Sequence, residues 1–450
     1  MKLVDALDIR PGEVVAFVGA GGKTSAMFRL ATELAERGLR VLTTTTTRIA
    51  QDELSLAPTH MALGDRLRVP RSLAGLLEAH RHVFIYTRLE ENRKVRGVTP
   101  AWLDEHIAHE PFLDVLLVEA DGSRRLPLKA PLPHEPAIPA SAGVIVPVVG
   151  LDVLGQPLDE EHVYGAEQIH DLLGHPSGAP VTPALVAAAL LHPRIALKNV
   201  PPVARVAPLL NKAAPEVLPQ AREIARRVLT DLHIERVLIG VVQDDDPVRE
   251  VRRRVGAVIL AAGESTRMGK PKLLLSWGKR STIIRQVCEQ VVACGLYEVV
   301  VVAGRLQAEI RREVADLPVR IVYNPVYAQG EILSSLKVGL AALWRTSDAA
   351  LVVLGDQPFV QQEVICDLLQ AYAEGRGRIV APIYNGQRGH PLIIDRAFWE
   401  AVLELPADAA PRDLLRRHES EIYSLPVNTD TVLRDIDTPE DYRRERERSG

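Results

Sequence analysis

Short aliphatic runs alternate with amphipathic segments along the first half of the chain. The runs predict buried strands at Val14–Val18, Val41–Thr45, Val83–Tyr86, Val115–Glu119, Val144–Val149, Ala207–Leu210 and Arg236–Val241. Amphipathic helices are predicted over Ser25–Arg37 and Pro215–Leu229. Continuous aliphatic strands separated by helices are typical of a parallel sheet covered on both faces. The first half is therefore predicted to be a three-layer α/β/α domain.

The same pattern restarts after a charged stretch without apolar periodicity. Residues 246–254 are predicted to be a linker between domains at 1–245 and 255–450. The second half has predicted strands at Gly256–Leu260, Glu298–Ala303, Val319–Tyr323, Ala350–Leu354 and Arg378–Pro382. Its predicted helices are Thr282–Cys294, Leu306–Ala315 and Ser334–Trp344. A second three-layer α/β/α domain follows from this alternation.

Composition narrows the class of protein. The chain has 450 residues, is 47% hydrophobic and 25% charged, and carries a formal net charge of −4. This balance is typical of a globular protein and argues against a general nucleic-acid binder. Three cysteines are too few for a disulfide framework, and no apolar run reaches the ~18 residues of a membrane span. We expect a cytoplasmic protein with no nucleic-acid or membrane partner.

The stretch LAAGESTRMGKPK follows the first predicted strand of the second half. Leu260, Ala261, Ala262 and Gly263 open it with small residues, so backbone N–H groups can approach an anion closely. The cations Arg267 and Lys272 follow within the same loop. Small residues and cations after a strand indicate a polyphosphate site at the carboxyl edge of the sheet.

Two acidic segments are predicted to lie at that edge. Asp356 comes directly after the strand Ala350–Leu354, and Asp435-Ile-Asp437 stands near the end of the chain. Carboxylates at such positions suit Mg²⁺. An alternative for Asp437 is the N-cap of a last helix that Thr438 and Pro439 open.

Five ordered segments, LAAGESTRMGKPKLLL, NPVYAQG, LGDQP, RGHPLI and DIDTPEDY, resemble the molybdenum cofactor cytidylyltransferase (MocA-like) branch of the NTP transferases. The resemblance implies a Rossmann-like domain that transfers CMP from CTP to the phosphate of molybdopterin and releases pyrophosphate. It implies that Arg267 and Lys272 neutralise phosphate charge and that Asp356 and Asp437 hold Mg²⁺. It also implies a cofactor-binding side formed by Asn324, Ser334, Ser335, Gly389 and His390. A hydrogen-bonded turn histidine is the alternative for His390.

The first half contains a strand, a glycine turn and a helix in the segment VVAFVGAGGKTS. Gly19, Gly21 and Gly22, followed by Lys23 and Thr24, match the logic of a phosphate-binding loop, but the turn is shorter than G-x-x-x-x-G-K-T. A purely structural turn is the alternative. Asp121, after the strand Val115–Glu119, is the predicted metal ligand beside this P-loop-like turn.

VGAGGKTS, TTTTTR, VEADGSRRLPLKAP and HEPAIP resemble the YqeC-like family, over about residues 10–240. That resemblance implies an accessory protein for selenium-dependent molybdenum hydroxylases. The segment Leu209-Leu-Asn-Lys212 is similar to the base-reading N-K-x-D motif, but Ala214 replaces its aspartate, so guanine specificity is not indicated.

Together these features predict a Mg²⁺-dependent cytidylyltransferase fused to a nucleotide-binding accessory domain. Its substrates would be CTP and the molybdenum cofactor, and a molybdenum hydroxylase apoenzyme would be the recipient. Transfer to another phosphate acceptor, such as a sugar or polyol phosphate, is one alternative. A non-catalytic cofactor-delivery chaperone that keeps a nucleotide-binding fold is another.

Overall fold

The chain folds into two compact units. The structure is a computed structural model that describes residues 1–64, 69–91, 93–263, 268–278, 281–328 and 332–449. The units are Met1–Arg252 and Arg253–Gly450. The division differs from the predicted linker at 246–254, because Val248–Arg252 forms a strand of the first unit. The sequence pattern does not indicate this strand because most of its residues are charged. Only Val248 and Val251 of its five side chains are buried and hydrophobic.

The first unit alternates strands and helices as the aliphatic pattern predicts. Its strands are β1 Glu13–Gly19, β2 Val41–Thr45, β3 Arg48–Ala50, β4 His60–Ala62, β5 His82–Tyr86, β6 Arg88–Leu89, β7 Lys94–Arg96, β8 Val115–Glu119, β9 Leu128–Lys129, β10 Val144–Gly150, β11 Val163–Tyr164, β12 Arg205–Val206, β13 Leu209–Asn211, β14 Val237–Gly240 and β15 Val248–Arg252. Its helices are α1 Leu3–Leu7, α2 Lys23–Glu36, α3 Ser72–His80, α4 Pro100–His106, α5 Ala166–Leu173, α6 Pro183–Leu191 and α7 Leu218–Val228.

The main sheet of this unit is parallel except at one edge. Its order is β15-β14-β13-β10-β1-β8-β2-β5-β4, with β12 beside β10, and only the β14–β15 pair of this sheet is antiparallel among the described residues. The chain passes from β8 on one side of β1 to β10 on the other. In an open α/β sheet, such a reversal leaves a crevice beyond the carboxyl ends of the central strands.

Side chains of β1 alternate between two apolar cores on opposite faces of the sheet. Val15 and Phe17 pack with residues of α1 and α2, such as Leu30. Val14 and Ala16 face the other core, which α3 to α7 cover. This alternation is the period-two geometry of a strand that is buried on both faces, so the predicted three layers are present.

The second unit again mixes strands and helices. Its strands are β16 Val255–Ala261, β17 Ser276–Trp277, β18 Ser281–Thr282, β19 Val299–Ala303, β20 Arg320–Tyr323, β21 Ala349–Leu354, β22 Ile379–Tyr384, β23 Gln387–Arg388, β24 Leu392–Asp395 and β25 Ile422–Pro426. Its helices are α8 Ile283–Ala293, α9 Gln307–Glu313, α10 Ile332–Leu343, α11 Gln362–Ala373, α12 Trp399–Leu403, α13 Pro411–Arg417 and α14 Pro439–Ser449.

The sheet of the second unit is mixed rather than parallel throughout. Its order is β20-β19-β16-β21-β24-β22-β23, with β25 beside β22. β16 pairs in parallel with β19 and β21, but β24 runs antiparallel to both β21 and β22. Parallel pairing thus joins β16, β19, β20 and β21, whereas β24, a strand that the sequence pattern did not predict, runs antiparallel to both of its neighbours.

Helices cover both faces of the second sheet. Ile259 of β16 belongs to one core with residues of α8, α9 and α11. Val258, its neighbour in sequence, belongs to another core that α10 and α12 supply. The strand pair β16 and β21 is thus buried on both faces. The predicted site residues follow the carboxyl ends of these two strands. Among the described helices of the whole chain, none is long and apolar enough to cross a membrane.

The edge strand β15 should contribute measurably to the stability of the first unit. Val248 and Val251 are 1% and 5% exposed, and burial of a valine side chain is worth roughly 1.5–3 kcal/mol. A segment of residues 1–245 should therefore unfold in urea with a free energy about 3–6 kcal/mol lower than that of residues 1–252. Equal unfolding free energies would restore the predicted boundary at residue 245.

Candidate functional site

The predicted nucleotide-binding residues of the second unit line one open cleft. The cleft has an empty volume of about 830 Å³ and lies where β16 and β21 end. It is lined by Leu260, Ala261, Ala262, Gly263, Lys272, Leu273, Tyr327, Ile332, Ser335, Leu354, Asp356, Asp435 and Asp437. The structure therefore brings the LAAG segment, the lysine and both predicted metal-binding aspartates together. Arg267 lies outside the described residues, so its role stays a prediction.

Lys272 is the electrostatic centre of this cleft. Its Nζ donates to Asp356 Oδ2 at 2.6 Å and to Asp437 Oδ1 at 2.9 Å. Burial alone would lower the pKa of Lys272, but the two carboxylates outweigh burial and raise it above its ordinary value. The ammonium is therefore charged at neutral pH.

The aspartates outnumber the lysine in the cleft. Burial raises the pKa of Asp435, and the neighbouring carboxylates of Asp437 and Asp356 raise it further. Such crowding of negative charge favours the arrival of a cation. The described part of the chain has no preformed group of three metal-ligating side chains. Asp356 and Asp437 nevertheless offer the hard oxygen ligands that Mg²⁺ takes when phosphates and water complete its shell.

Asp437 does not cap the last helix. Thr438 Oγ1 accepts the backbone N–H of Asp441 at 3.1 Å, and Asp441 Oδ2 accepts the backbone N–H of Thr438 at 2.9 Å. This reciprocal pair is a capping box at the start of α14. Because Thr438 serves as the cap, the alternative reading of Asp437 as N-cap is wrong and its carboxylate is directed to Lys272.

Asn324 positions two serines rather than facing a ligand. Its Nδ2 donates to Ser334 Oγ at 3.0 Å and to Ser335 Oγ at 3.1 Å, and its Oδ1 accepts the N–H of Val326 at 3.1 Å. The side chain is fully buried. Since the amide is fully engaged, the predicted cofactor contact of Asn324 is better described as support for Ser335, which lines the cleft.

Gly389 and His390 are not among the cleft-lining residues. A β-carbon at Gly389 would lie 2.1 Å from the carbonyl oxygen of Val432, so this glycine is explained by a close backbone approach. The N–H of His390 donates to the same carbonyl at 2.9 Å. Burial lowers the pKa of His390 despite the opposing charge of Asp356, so its imidazole is neutral at pH 7. These backbone contacts fix the turn, but the imidazole Nδ1 is buried without a hydrogen-bond partner among the described residues, so the acceptor contact of His390 stays a prediction.

Tyr327 is a cleft residue that the sequence analysis missed. Its ring meets that of Tyr323 edge-on, with centroids 6.2 Å apart. The absence of a β-carbon at Gly304 makes room for it, because a β-carbon there would come within 2.8 Å of Tyr327 Cγ. The signal available in the sequence was an aromatic residue in the otherwise small and polar segment NPVYAQG.

In the first unit, the glycine turn packs tightly against neighbouring strands. Gly21 has φ +83°, and a β-carbon there would lie 2.1 Å from the backbone nitrogen of Gly150. The N–H of Gly19 donates to Asp121 Oδ2 at 3.0 Å, while those of Ala20 and Gly21 donate to backbone carbonyls. These three donors are thus used within the protein. The turn has a structural role, and its part in phosphate binding stays a prediction.

Lys23 and Thr24 are held by the acidic end of β8. Lys23 Nζ donates to the carbonyl of Gly19 at 2.7 Å and lies 3.3 Å from Asp121 Oδ1. Thr24 Oγ1 donates to Glu119 Oε2 at 2.7 Å. Burial raises the pKa of Glu119 to about 7, although Lys23 and Thr24 oppose that effect. Glu119 therefore takes up a proton much more readily than an exposed glutamate.

A second lysine completes this buried network. Lys129 Nζ donates to Glu135 Oε2 at 2.7 Å and lies 3.2 Å from Asp121 Oδ2. Burial would raise the pKa of Glu135, but the hydrogen bond and charge of Lys129 outweigh it and lower that pKa. Asp121 is consequently placed between two ammonium groups, Lys23 and Lys129, in the interior of the unit.

Comparisons with known proteins agree with the two resemblances. The family model of the YqeC protein matches residues 15–167, and that of the MobA-like NTP transferase domain matches residues 257–422. The chain is 34% identical over 232 residues to Uncharacterized protein YqeC of Escherichia coli (strain K12), a match that covers 51% of this chain and 88% of that protein.

Two further relatives match the second half. The chain is 26% identical over 195 residues to Molybdenum cofactor cytidylyltransferase of Escherichia coli (strain K12), covering 43% of this chain and 96% of that protein. It is 32% identical over 199 residues to Nicotine blue oxidoreductase of Paenarthrobacter nicotinovorans, covering 42% and 95%. The chain therefore belongs to the YqeC family through its first unit, and its second unit, with a MobA-like NTP transferase domain, makes it a nucleotidyltransferase.

Proposed function

We propose that the second unit is a molybdenum cofactor cytidylyltransferase. It transfers CMP from CTP to the terminal phosphate of molybdopterin and releases pyrophosphate. The observation that carries this proposal is the ammonium of Lys272 held between Asp356 and Asp437 at the end of β16 and β21. A fixed cation beside two carboxylates suits a polyphosphate that arrives with a divalent metal ion. The similarity to a relative named for this reaction supports the same choice.

The reaction requires alignment and charge neutralisation more than covalent help from the protein. A phosphate oxygen of molybdopterin attacks the α-phosphorus of CTP and forms the new P–O bond. The bond to pyrophosphate breaks, and pyrophosphate leaves with the electron pair. Lys272 stays protonated because its pKa is raised, so its charge is available to the α-phosphate and the departing pyrophosphate.

Asp356 and Asp437 would hold the Mg²⁺ that accompanies CTP. When bound, Mg²⁺ supplies positive charge that stabilises the developing charge on the phosphate oxygens. Lys272 then moves from neutralising the carboxylates to neutralising the substrate. Asp435, whose pKa is raised by the same crowding, adds a further carboxylate on the cleft wall.

The LAAG segment forms the nucleotide side of the cleft. Gly263 does not have a left-handed backbone, and no atom of the described residues lies within 4 Å of a β-carbon placed on it. Packing against the described residues therefore does not explain why glycine is used there. A ligand that lies against the backbone does explain it, because a side chain would occupy that space. Arg267 follows in the same loop and is proposed to neutralise phosphate charge.

The acceptor side is proposed to lie at Tyr327 and the start of α10. Ser335 offers a hydroxyl on the cleft wall, in an orientation that Asn324 fixes. The aromatic face of Tyr327 provides a flat apolar surface for a ring system such as a pterin. A sugar or polyol phosphate would gain less binding free energy from an aromatic wall than a pterin would. This difference favours molybdopterin among the phosphate acceptors.

Rival functions fit the cleft less well. A delivery chaperone without catalysis would not need a charged lysine between two acidic side chains, since desolvating them costs free energy. The relative named as an oxidoreductase suggests redox chemistry, but the ion cluster suits phosphates. The first unit is proposed to assist delivery of the finished cofactor to a molybdenum hydroxylase apoenzyme. Covalent fusion would raise the local concentration of that product near the accessory unit.

The metal role of Asp356 predicts a large kinetic effect with little effect on folding. Asp356→Ala should reduce pyrophosphate release by at least ~10²-fold, because an electrostatic contact to the reacting phosphates is lost. Lys272 keeps Asp437 as a partner, so thermal unfolding should change little. Asp367→Ala, on the exposed side of α11, is the matched control and should turn over normally. Normal turnover in Asp356→Ala would remove this carboxylate from the site.

Base preference tests the cytidylyl assignment. Ala262 is buried, and its carbonyl packs close to Gly304, so the loop at this point has little freedom to widen. We expect kcat/KM for CTP to exceed that for GTP by at least ~10-fold, or about 1.4 kcal/mol of transition-state binding. Ala262→Gly should reduce the preference without reversing it.

The measurement is pyrophosphate release with each nucleoside triphosphate, saturating molybdenum cofactor and Mg²⁺. Release with CTP only in the presence of the cofactor supports the proposed reaction. Equal use of GTP and CTP by the wild-type protein contradicts cytidylyl specificity and leaves the broader nucleotidyl transfer. Release with a sugar phosphate in place of the cofactor would identify the rival acceptor.

A further inference from the structure

Asp121 in the first unit has an oxygen atom that the fold leaves without a hydrogen bond. The residue is 1% exposed, and its Oδ1 is buried without a hydrogen-bond donor among the described residues. Lys23 Nζ is an ion-pair partner of this oxygen at 3.3 Å, but it makes no hydrogen bond to it and donates to the carbonyl of Gly19. Buried carboxylate oxygens normally have partners, because leaving one unpaired costs about 1–3 kcal/mol or more. The atom therefore indicates that a ligand completes this site.

The surroundings of Asp121 suit a phosphate and its metal ion. Asp121 follows β8, which is the neighbour of β1 on one side. The neighbour of β1 on the other side is β10, so the strand order reverses here. Ligands of open α/β sheets bind beyond the strand ends at such a reversal. A small cavity lies beside it, with Gly19, Asp121 and Lys129 in a lining that is otherwise apolar.

The start of α2 supplies donors to the same place. The N–H groups of Lys23, Thr24 and Ser25 occupy the first turn of a 14-residue helix, where no acceptor exists within the helix. The helix dipole adds partial positive charge there. Thr24 Oγ1, already 2.7 Å from Glu119 Oε2, adds a neutral oxygen ligand close to the acidic end of β8.

We propose that this site binds a nucleoside triphosphate with a divalent cation, as a second nucleotide site separate from the cleft of the second unit. The first turn of α2 and Lys23 bind the terminal phosphates. Asp121, Thr24 and Glu119 hold the cation. Lys23 occupies the cation's neighbourhood when no ligand is present and turns to the phosphates when they arrive.

The residues at the end of β13 do not indicate that the base of this nucleotide is guanine. Asn211, at the end of β13, is fully buried and donates from Nδ2 to the carbonyl of Gly21 at 2.8 Å, while its Oδ1 accepts the N–H of Val242 at 3.0 Å. Its amide thus fixes the glycine turn and is not available for a base. Lys212 Nζ pairs with Asp152 Oδ2 at 2.6 Å, and Ala214 offers no carboxylate.

Calorimetry on the full chain tests the second site by its stoichiometry. The titrants are the non-hydrolysable β,γ-methylene analogues of ATP, GTP and CTP, each with Mg²⁺. We expect the wild-type chain to bind about two nucleotides, one in each unit. Thr24→Ala should weaken binding at the first-unit site by at least tenfold in Mg²⁺, and much less in EDTA, because the hydroxyl acts through the cation.

Two further variants keep the result interpretable. Asp121→Asn preserves shape and removes the charge, so one of the two binding events should be lost. Asp171→Asn, an exposed position on α5 of the same unit, is the control and should bind two nucleotides. Circular dichroism and thermal unfolding check that each variant is folded. Thr24→Ala is the milder change, because it removes the hydrogen bond to Glu119 but keeps every ion pair of the buried network.

The outcomes separate this site from the proposed transferase reaction. If Thr24→Ala loses one nucleotide-binding event and Asp356→Ala affects the other, both the first-unit site and CTP binding in the cleft are supported. A single event in the wild type that Thr24→Ala removes supports the first-unit site and counts against CTP binding in the cleft. A single event that folded Thr24→Ala and Asp121→Asn retain at full affinity, in Mg²⁺ and in EDTA, overturns the first-unit site.

Discussion

The ion triplet of Lys272 with Asp356 and Asp437 joins three segments that are far apart in the sequence of the second unit. The segments of Lys272 and Asp356 follow the parallel strands β16 and β21, which end side by side, and the segment before α14 brings Asp437 to the same ammonium. An uncompensated carboxylate in a part-buried cleft is costly, so the lysine is needed for folding before it is needed for chemistry. In the proposed reaction the same ammonium meets the substrate, which would link the stability of the cleft to its function.

The first unit also neutralises buried carboxylates with a lysine, but it uses different residues. Lys23 lies between the acidic end of β8 and the carbonyl of Gly19, much as Lys272 lies between its aspartates. Burial is more complete here, since the side chains of Lys23 and Asp121 are each 2% exposed. Removing Lys23 would leave buried carboxylates unpaired, a change that typically costs 3–5 kcal/mol in comparable pairs. A loss of ligand binding in such a variant would therefore be hard to separate from a loss of stability.

The sequence predicts those features that depend on local pattern. β2 and β8 begin and end at the predicted residues, because continuous aliphatic or threonine runs leave little ambiguity for a buried strand. The charged residues of β15 predict a solvated linker, whereas its two valines pack into a core. The antiparallel β24 could not be derived from periodicity, since strand direction is set by the path of the chain and not by the residues of the strand.

The site residues also divide into those that the local sequence indicates and those whose roles depend on tertiary contacts. The positions of Lys272 and Asp356 in the cleft could be anticipated because each lies in a segment that follows a strand ending at the ligand edge, whereas Asp437 was indicated by the resemblance to the MocA-like branch. The roles of Asn324 and Gly389 could not, because a hydrogen bond to two serines and a close approach to Val432 depend on contacts between distant segments.

The two lysine sites also suggest how such clefts remain stable before a ligand arrives. A divalent cation cannot bind tightly to two carboxylates that are already neutralised by an ammonium group, unless another anion draws the ammonium away. A triphosphate is such an anion, so phosphate and metal should bind together more tightly than either alone, as reciprocal coupling between sites requires. In the absence of nucleotide the lysine keeps the acidic residues paired and limits the binding of free metal ions. If both sites bind as proposed, the charge balance that stabilises the unliganded fold would also select for the metal–nucleotide complex over its separate components.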